Sequence, residues 1–315
     1  MPNPSKEHAG SKTETPFHIE NKNNSDHEQR GRKTLMDEYC RKNAARLKSS
    51  NSLRPGAFFV SDKHKILYCK VGKTGSTTTS TLLYNLEFGT ALSKQDYWIQ
   101  RKSLPLKRLS SYPTDEQNLR INTYKTLLVV RNPLERLVSA YLYFFGGQHH
   151  FSGARRQFHY NRKYQEMVDT ICWNTSTAKT ACRKDYHVVR ARNVTREVVP
   201  FASFIRAVTE NTTKWKNEHW ALIFDFCAPC QVHYDFIAHT ETLANDLNTF
   251  FRNAGVIGRN NVFPNISRRA GKERLLNFYR QIPIRDILKI RNKFRPDFDM
   301  FGYSFEDDIL QLLLG

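Results

Sequence analysis

Long apolar runs are missing from this chain of 315 residues. No stretch approaches the roughly 18 consecutive apolar residues that a membrane-spanning helix needs. The first residues, Met1 to Lys6, contain no apolar core of a signal peptide. Taken alone, these absences predict a soluble chain that reaches a membrane only through an anchor outside these residues.

Acidic residues are few compared with basic ones. The sequence has 30 aspartate and glutamate residues against 49 lysine and arginine residues, which gives a formal net charge of +19. Such an excess favours an anionic partner: nucleic acid, an anionic membrane, an acidic polysaccharide or a nucleotide cosubstrate. Because the sequence shows neither a recognition helix nor a motif for stacking on bases, we expect no nucleic-acid partner.

A paired metal-binding pattern is also absent. Cys227 and Cys230 have the spacing of half a zinc site, but no second pair accompanies them, so we expect no metal. We interpret them as a disulfide or two packed thiols, and Cys69, inside an apolar run, as a buried free thiol.

The even cysteine count and five glycosylation sequons suit a secretory lumen. The cysteines are Cys40, Cys69, Cys172, Cys182, Cys227 and Cys230, and the sequons begin at Asn23, Asn174, Asn193, Asn211 and Asn265.

Composition divides the chain into two parts. Residues 1–32 contain almost nothing to bury, which predicts a disordered tail or stem. Residues 33–315 can form one domain with a large core, because single α/β domains commonly run to about 250 residues before they split. We expect order to begin near Thr34 with a short amphipathic helix.

Apolar runs and helical periodicity alternate along the second part. Buried strands are predicted at residues 66–71, 126–130 and 236–239. Helices are predicted at residues 76–86, 133–145, 201–208, 244–254 and 275–294, and near 115–119 within a polar insertion. This alternation indicates an α/β fold with a central parallel sheet flanked by helices.

The first of two candidate anion-binding loops follows the strand at 66–71. Residues 72–77 supply backbone N–H groups that can approach oxygens closely, one ammonium group, and hydroxyls at a helix start. Leu67 stands where a Walker A loop has its first glycine, which argues against an ordinary ATPase or GTPase. A tight turn with a solvated lysine is the alternative interpretation of this segment.

The second candidate loop follows the strand at 126–130. Arg131 stands at the C-terminal end of that strand, where open α/β sheets bind ligands, and Ser139 follows two helical turns later. A guanidinium group and a hydroxyl can together hold a phosphate. The alternative for Arg131 is a solvated strand end, and we expect Glu135 and Arg136 to form surface or structural ion pairs. Two such loops suggest a ligand with two anionic ends.

These loops resemble motifs of a family of Golgi carbohydrate sulfotransferases, the chondroitin 4-O-sulfotransferase and HNK-1 sulfotransferase family. The Lys73 loop resembles the family's 5′-phosphosulfate loop, and residues 131–141 resemble its 3′-phosphate motif. The resemblance covers residues 33–304 and implies a P-loop-kinase-like sulfotransferase fold. Other matching motifs are Tyr39-Cys40-Arg41-Lys42, Leu53-Arg54-Pro55-Gly56, Asn217-Glu218-His219-Trp220, Cys227-Ala228-Pro229-Cys230-Gln231-Val232-His233-Tyr234-Asp235 and Asp299-Met300-Phe301-Gly302-Tyr303-Ser304.

The resemblance implies that the donor is 3′-phosphoadenosine 5′-phosphosulfate, a nucleotide, and that the acceptor is a sugar hydroxyl. It assigns the 3′-phosphate to Arg131 and Ser139. The residues implied to hold the 5′-phosphosulfate are Lys73, Thr74, Gly75, Ser76, Thr77 and Thr78. The chain departs from the family where Gly72, Ser76 and Thr79 replace a usual proline, cysteine and tryptophan. These departures concern the acceptor and local disulfides more than the donor, because a helix start with hydroxyls still serves an anion.

Sulfuryl transfer needs positive charge at the leaving oxygen and a general base for the acceptor hydroxyl. We assign the first role to Lys73. His219 is the first candidate for the base because it lies in a family motif and imidazole titrates near neutral pH. A histidine that simply packs beside its neighbouring tryptophan is the alternative. Glu218 is the second candidate, and His149 and His150 are the third.

The sequence therefore predicts a carbohydrate O-sulfotransferase that acts on an acidic glycan. The predicted acceptor is a chondroitin-like glycosaminoglycan, modified at the 4-O position of N-acetylgalactosamine. The alternative is a catalytically inactive protein of the same fold that binds acidic glycans. By resemblance, the expected location is the Golgi lumen, as a type II membrane protein, although no anchor is visible in this sequence.

Overall fold

The computed structural model describes residues 16–44, 53–145, 183–189, 192–210, 217–256 and 272–314. The described strands are β1 (Phe58–Ser61), β2 (Ile66–Cys69), β3 (Lys125–Val130), β4 (Arg183–Val189), β5 (Arg192–Val198) and β6 (Phe236–His239). The described helices are α1 (Pro16–Lys42), α2 (Ser76–Phe88), α3 (Lys94–Gln100), α4 (Thr114–Thr123), α5 (Pro133–Phe144), α6 (Phe201–Thr209), α7 (Ile223–Cys227), α8 (Leu243–Asn253), α9 (Lys272–Tyr279), α10 (Ile284–Met300) and α11 (Phe305–Leu314).

The central sheet has the strand order β1-β2-β3-β6. β2, β3 and β6 run parallel, as the sequence predicts, whereas β1 pairs antiparallel with β2 through a short turn. The predicted α/β class with a parallel sheet flanked by helices is therefore confirmed. Neither β1 nor the separate antiparallel hairpin of β4 and β5 was expected from the sequence.

Both faces of the central sheet are covered, which explains why its strands are apolar at almost every position. On β3, Leu127 and Val129 join the core formed with α2, α3 and α8. Leu128 and Val130 point to the opposite face and pack with α1, α7 and the end of α10. A third core joins α5 and α6 with α9, α10 and α11. The site-bearing ends of the strands are thus held from both sides.

One predicted helix differs from the structure, and the predicted division of the chain at residue 32 stays a prediction. The single helix expected at 275–294 is two helices, α9 and α10, and Pro283, which lacks a backbone N–H donor, stands at the N-cap of α10. The boundary expected near residue 32 falls inside α1, which begins at Pro16 and continues through Lys42. None of the described helices is long and apolar enough to span a bilayer.

Polar side chains of α1 cover the edge strand β6, and sequence periodicity gives no signal of such a contact. Gln29 exchanges two hydrogen bonds with the backbone of Ile237, donating at 2.9 Å and accepting at 3.1 Å. Arg32 donates to the same carbonyl at 2.8 Å and pairs with the buried carboxylate of Asp246 at 2.9 Å. The carboxylate also accepts the backbone N–H of His239 at the end of β6. Gln29 and Arg32 therefore hold this part of α1 against the central sheet.

Two disulfides correct the interpretation of the cysteines. Cys69, expected to be a free thiol, is bonded to Cys227. Cys230 is bonded to Cys40 on α1, so the two closely spaced cysteines do not pair with each other. The reason is local: Cys227 ends α7 inside the core, and its closest partner in space is the last residue of β2. Cys172 and Cys182 lie outside the described residues.

We predict that Arg32→Met lowers the free energy of unfolding by about 3 kcal/mol, because it leaves the buried Asp246 carboxylate without its cation. Lys42→Met on the same helix removes an exposed pair with Glu38 and is the matched control, with an expected cost below about 0.5 kcal/mol. Urea denaturation measures both. Equal costs for the two variants would show that α1 is not anchored through Arg32.

Candidate active site

The two predicted anion-binding loops meet in space. β2 and β3 are parallel neighbours with Cys69 opposite Leu128, so their C-terminal ends lie side by side. Arg131, just after β3, donates from Nη1 to the backbone carbonyl of Lys73 at 3.3 Å. The predicted loops are therefore two walls of one site at the end of the sheet where open α/β folds bind ligands.

The backbone of the Lys73 loop has unusual geometry. Lys73 has φ 70° and Gly75 has φ 74°, and such left-handed residues build the concave nests of N–H groups that bind anions. A non-glycine residue in this region costs roughly 1 kcal/mol and is found mostly at functional sites. At Gly75 an added Cβ atom would lie 2.5 Å from Cδ2 of Leu243, so another residue would displace that side chain and would also be strained at φ 74°.

The hydroxyls of this loop divide into two groups. Thr74 is fully buried, and its Oγ1 donates to the Val71 carbonyl at 3.1 Å, so its side chain shapes the turn. Thr78 is likewise buried. Ser76 and Thr77, at the start of α2, are half-buried. No side chain caps the N-terminus of α2, which leaves the N–H groups of its first turn for an anion.

Arg131 belongs to a polar line along α5. Asn132 caps this helix by accepting the N–H group of Leu134 at 2.9 Å, and Pro133 occupies the first helical position. Nε and Nη2 of Arg131 both pair with Glu135 Oε2 at 3.1 Å. Ser139 follows four residues later on the same helix face and is half-buried. Ser139 thus lies one helical turn beyond Glu135, the partner of Arg131, and the joint hold of Arg131 and Ser139 on one phosphate stays a prediction.

Arg136 connects the Lys73 loop to a third segment, residues 217–221. Its guanidinium group is almost fully buried, with 2% exposure, and Asp297 lies 3.9 Å away. Nε, Nη1 and Nη2 donate at 3.0, 2.6 and 2.9 Å to the backbone carbonyls of Gly72, Ala221 and Glu218. An ion pair was expected for Arg136. The bonds to three carbonyls could not be predicted, because a buried arginine and a solvated one look alike in a sequence.

His219 has a defined tautomer in this segment. Its Nδ1 lies 2.6 Å from Oδ1 of Asn217, which also accepts the backbone N–H of His219 at 3.0 Å. An amide oxygen only accepts hydrogen bonds, so Nδ1 carries the proton and Nε2 keeps its lone pair. The arrangement orients an imidazole with a free basic nitrogen, as a general base requires.

The surroundings of His219 keep it uncharged. An added Cβ atom at Gly72 would lie 3.0 Å from His219, and the rings of Tyr143 and Phe144 pack on the imidazole with centroid distances of 5.8 and 4.8 Å. Burial, with a smaller contribution from the positive charge of Lys73, lowers the pKa of His219 to about 3. The imidazole is therefore neutral at physiological pH.

Glu218, the second candidate base, is committed elsewhere. Its carboxylate pairs with Lys70 at 3.1 Å. Burial opposes ionisation, but the charge of Lys70 and its hydrogen bond to the carboxylate outweigh burial and leave the pKa of Glu218 below its usual value. His149 and His150 lie outside the described residues. Among the described side chains, no group of three or more potential ligands is arranged to hold a metal ion.

A family model described as "Sulfotransferase family" matches residues 56–304 of this chain. The match includes both anion-binding loops and the segment with His219. The chain belongs to this sulfotransferase family, whose members have a P-loop-like fold. No solved protein structure shows a significant match to the chain.

Curated relatives carry similar names. Carbohydrate sulfotransferase 10 of Xenopus laevis is 28% identical over 262 residues, which cover 78% of this chain and 67% of the relative. Carbohydrate sulfotransferase 10 of Gallus gallus is 27% identical over 88% of this chain and 75% of the relative. Carbohydrate sulfotransferase 11 of Rattus norvegicus is 29% identical, with coverage of 87% and 75%. This chain is similar to each over most of its length.

The lowered pKa of His219 predicts a stability that depends on pH. Between its unfolded value near 6.5 and its folded value of about 3, only the unfolded chain binds the extra proton, so stability falls as the pH falls. From pH 6.5 to 5 the wild type should lose about 1.5 kcal/mol more than His219→Gln. Urea denaturation at each pH measures this difference, with His233→Gln at an exposed histidine as the control. Equal losses in wild type and His219→Gln would contradict a buried neutral imidazole.

Proposed function

We propose that this protein transfers a sulfuryl group from 3′-phosphoadenosine 5′-phosphosulfate to a hydroxyl of a glycan. The observation that carries the proposal is the contact of Arg131 with the Lys73 backbone, which brings two cationic loops to one end of the sheet. Membership of the sulfotransferase family and relatives named carbohydrate sulfotransferases support the reaction and the class of acceptor.

The residues fit a donor with two anionic ends. The uncapped start of α2, with Ser76 and Thr77, and the Lys73 ammonium suit the 5′-phosphosulfate. Arg131 and Ser139, on one line of α5, suit the 3′-phosphate. The side chains of Thr74 and Thr78 are buried, so these residues support the loop shape, and Thr74 can contribute its backbone N–H.

The donor supplies an activated sulfuryl group, and the protein contributes charge and a base. Lys73 places positive charge where the leaving oxygen becomes anionic. Nε2 of His219 accepts the proton that the sugar hydroxyl releases. In the free protein the charge of Lys73 lowers the pKa of His219. An anionic donor beside Lys73 offsets that charge, so donor binding raises the basicity of His219.

For the acceptor we propose a chondroitin-like chain, sulfated at the 4-O position of N-acetylgalactosamine. The support is the resemblance together with the net charge of +19. Near the base, the cationic side chains of Lys70 and Arg108 both act on Glu218. Positively charged side chains near the candidate base attract an acidic glycan more strongly than a neutral one.

For the location we propose the Golgi lumen. The two disulfides support an oxidising compartment, because such bonds are rare in the cytosol. The sequons at Asn23 and Asn193 suit the same compartment. The membrane anchor that the family resemblance implies stays a prediction.

One observation favours a second candidate, an inactive sulfotransferase-fold protein that binds acidic glycans. The guanidinium group of Arg131 is already paired with Glu135, so a 3′-phosphate must share or displace that carboxylate. If the pairing held too tightly, the protein would bind glycans without turnover.

We predict that Lys73→Ala and Arg131→Ala each reduce sulfate transfer at least about 100-fold, because each removes the positive side chain that would contact one end of the donor. Arg131→Ala should also weaken binding of 3′-phosphoadenosine 5′-phosphate, measured by calorimetry. Lys63→Ala, at an exposed lysine in the turn between β1 and β2, is the control. Undiminished transfer by both variants would contradict the proposed site.

We further predict the acceptor preference. Purified protein with labelled donor is assayed on desulfated chondroitin, dermatan, heparan and N-glycan acceptors, followed by disaccharide analysis. Label should appear chiefly at the 4-O position of N-acetylgalactosamine. Label found only on a different sugar would contradict the chondroitin assignment, and the proposed sulfuryl transfer would still stand. Nucleotide binding without label on any glycan would favour the inactive binding protein.

A further inference from the structure

Tyr143 extends the polar line of α5 to its last turn. It follows Glu135 and Ser139 at intervals of four residues along α5, and Arg131, just before the helix, contacts Glu135. Its side chain is half-buried, like those of the other three. Arg131 and Ser139 belong to the proposed phosphate site. Tyr143 lies further along α5, next to Lys73 and His219.

The ring of Tyr143 contacts both residues that we assign to the chemistry. The Nζ atom of Lys73 lies over the ring, 4.1 Å from its centroid. The His219 imidazole lies nearly parallel to the same ring, with centroids 5.8 Å apart and planes inclined by 18°. One aromatic side chain thus touches the cation for the leaving oxygen and the base for the acceptor.

The contact with Lys73 is of a type that restrains a flexible chain. A lysine ammonium group is carried on a flexible four-carbon side chain and can occupy many positions. The face of an aromatic ring attracts the cation and restricts it to one of them. Lys73 also has a left-handed backbone, which must be stabilised by its surroundings. Because both restraints act on the same residue, the ammonium is placed before a donor arrives.

We propose that Tyr143 is a positioning residue for sulfuryl transfer, whose ring sets the place of the Lys73 ammonium relative to the His219 imidazole. The inference rests on the proposed function. The face of the ring carries this role, because a cation and a stacked imidazole both contact the π surface. The proposal assigns no role to the hydroxyl.

Three variants test the proposal. Tyr143→Leu removes the aromatic face but keeps an apolar side chain, and Tyr143→Phe removes only the hydroxyl. Phe144→Leu is the matched control, because Phe144 packs edge-on against His219 and Trp220 on the same helical turn. Thermal unfolding followed by circular dichroism establishes that each variant is folded. Tyr143→Met replaces Tyr143→Leu if the latter does not fold.

The kinetic readout is kcat/KM for the donor. In Tyr143→Leu, kcat/KM should fall about 10-fold, which corresponds to the loss of a cation–π contact of about 1.4 kcal/mol. In Tyr143→Phe, kcat/KM should stay within about twofold of the wild-type value. The loss should include kcat at saturating donor, since a misplaced ammonium weakens the transition state as well as binding. Equal losses in Tyr143→Leu and Tyr143→Phe would overturn the role of the ring.

A second readout does not depend on turnover. The rate of acetylation of Lys73 is measured by competitive labelling and mass spectrometry, because a cation held over a ring stays protonated and reacts slowly. Tyr143→Leu should raise this rate severalfold, whereas Tyr143→Phe and Phe144→Leu should leave it near the wild-type rate. Unchanged labelling in Tyr143→Leu would refute the inference even if the wild type transfers sulfate. If Tyr143→Leu is labelled faster but the wild type transfers no sulfate, the contact is upheld and the proposed function is rejected.

Discussion

The site depends on one buried guanidinium group. Arg136 gives its hydrogen bonds to three carbonyls from two distant segments, the Lys73 loop and the turn that carries His219. Burying such a charge is costly, and charge-assisted bonds to fixed carbonyls, with Asp297 nearby, offset that cost. Because these bonds have defined lengths, they hold the Lys73 loop and the turn with His219, the two groups proposed for the chemistry, at a fixed separation.

Other contacts hold the same two segments together, and each has a different chemistry. The Cys69–Cys227 disulfide joins the end of β2 to α7 covalently, and Lys70 pairs with Glu218 across the same gap. Asp297 accepts the backbone N–H groups of Ile223 and Phe224 at 2.9 and 3.0 Å, which fixes the start of α7. The fold therefore resists separation of the two walls of the site, as catalysis by positioning requires.

Local patterns in the sequence predicted the parts of this structure that short segments determine. The buried parallel strands, the helix at Pro133 and the two anion-binding loops all have signals within a dozen residues. Arg136, Tyr143 and the Gln29 and Arg32 contacts of α1 have no such signal, because their partners are distant in the chain and polar or aromatic residues at helix surfaces are usually solvated. The cysteine pairing required the positions of β2 and α7, which no spacing reveals.

The central claim is that one nucleotide bridges the Lys73 loop and Arg131. A crystal structure of the protein with 3′-phosphoadenosine 5′-phosphate tests it most directly. The account predicts the 5′-phosphate against the first turn of α2 and the Lys73 ammonium, and the 3′-phosphate against Arg131 and Ser139, with Glu135 shifted from its present pairing. A nucleotide bound elsewhere, or one that contacts only one of the two loops, would contradict the account.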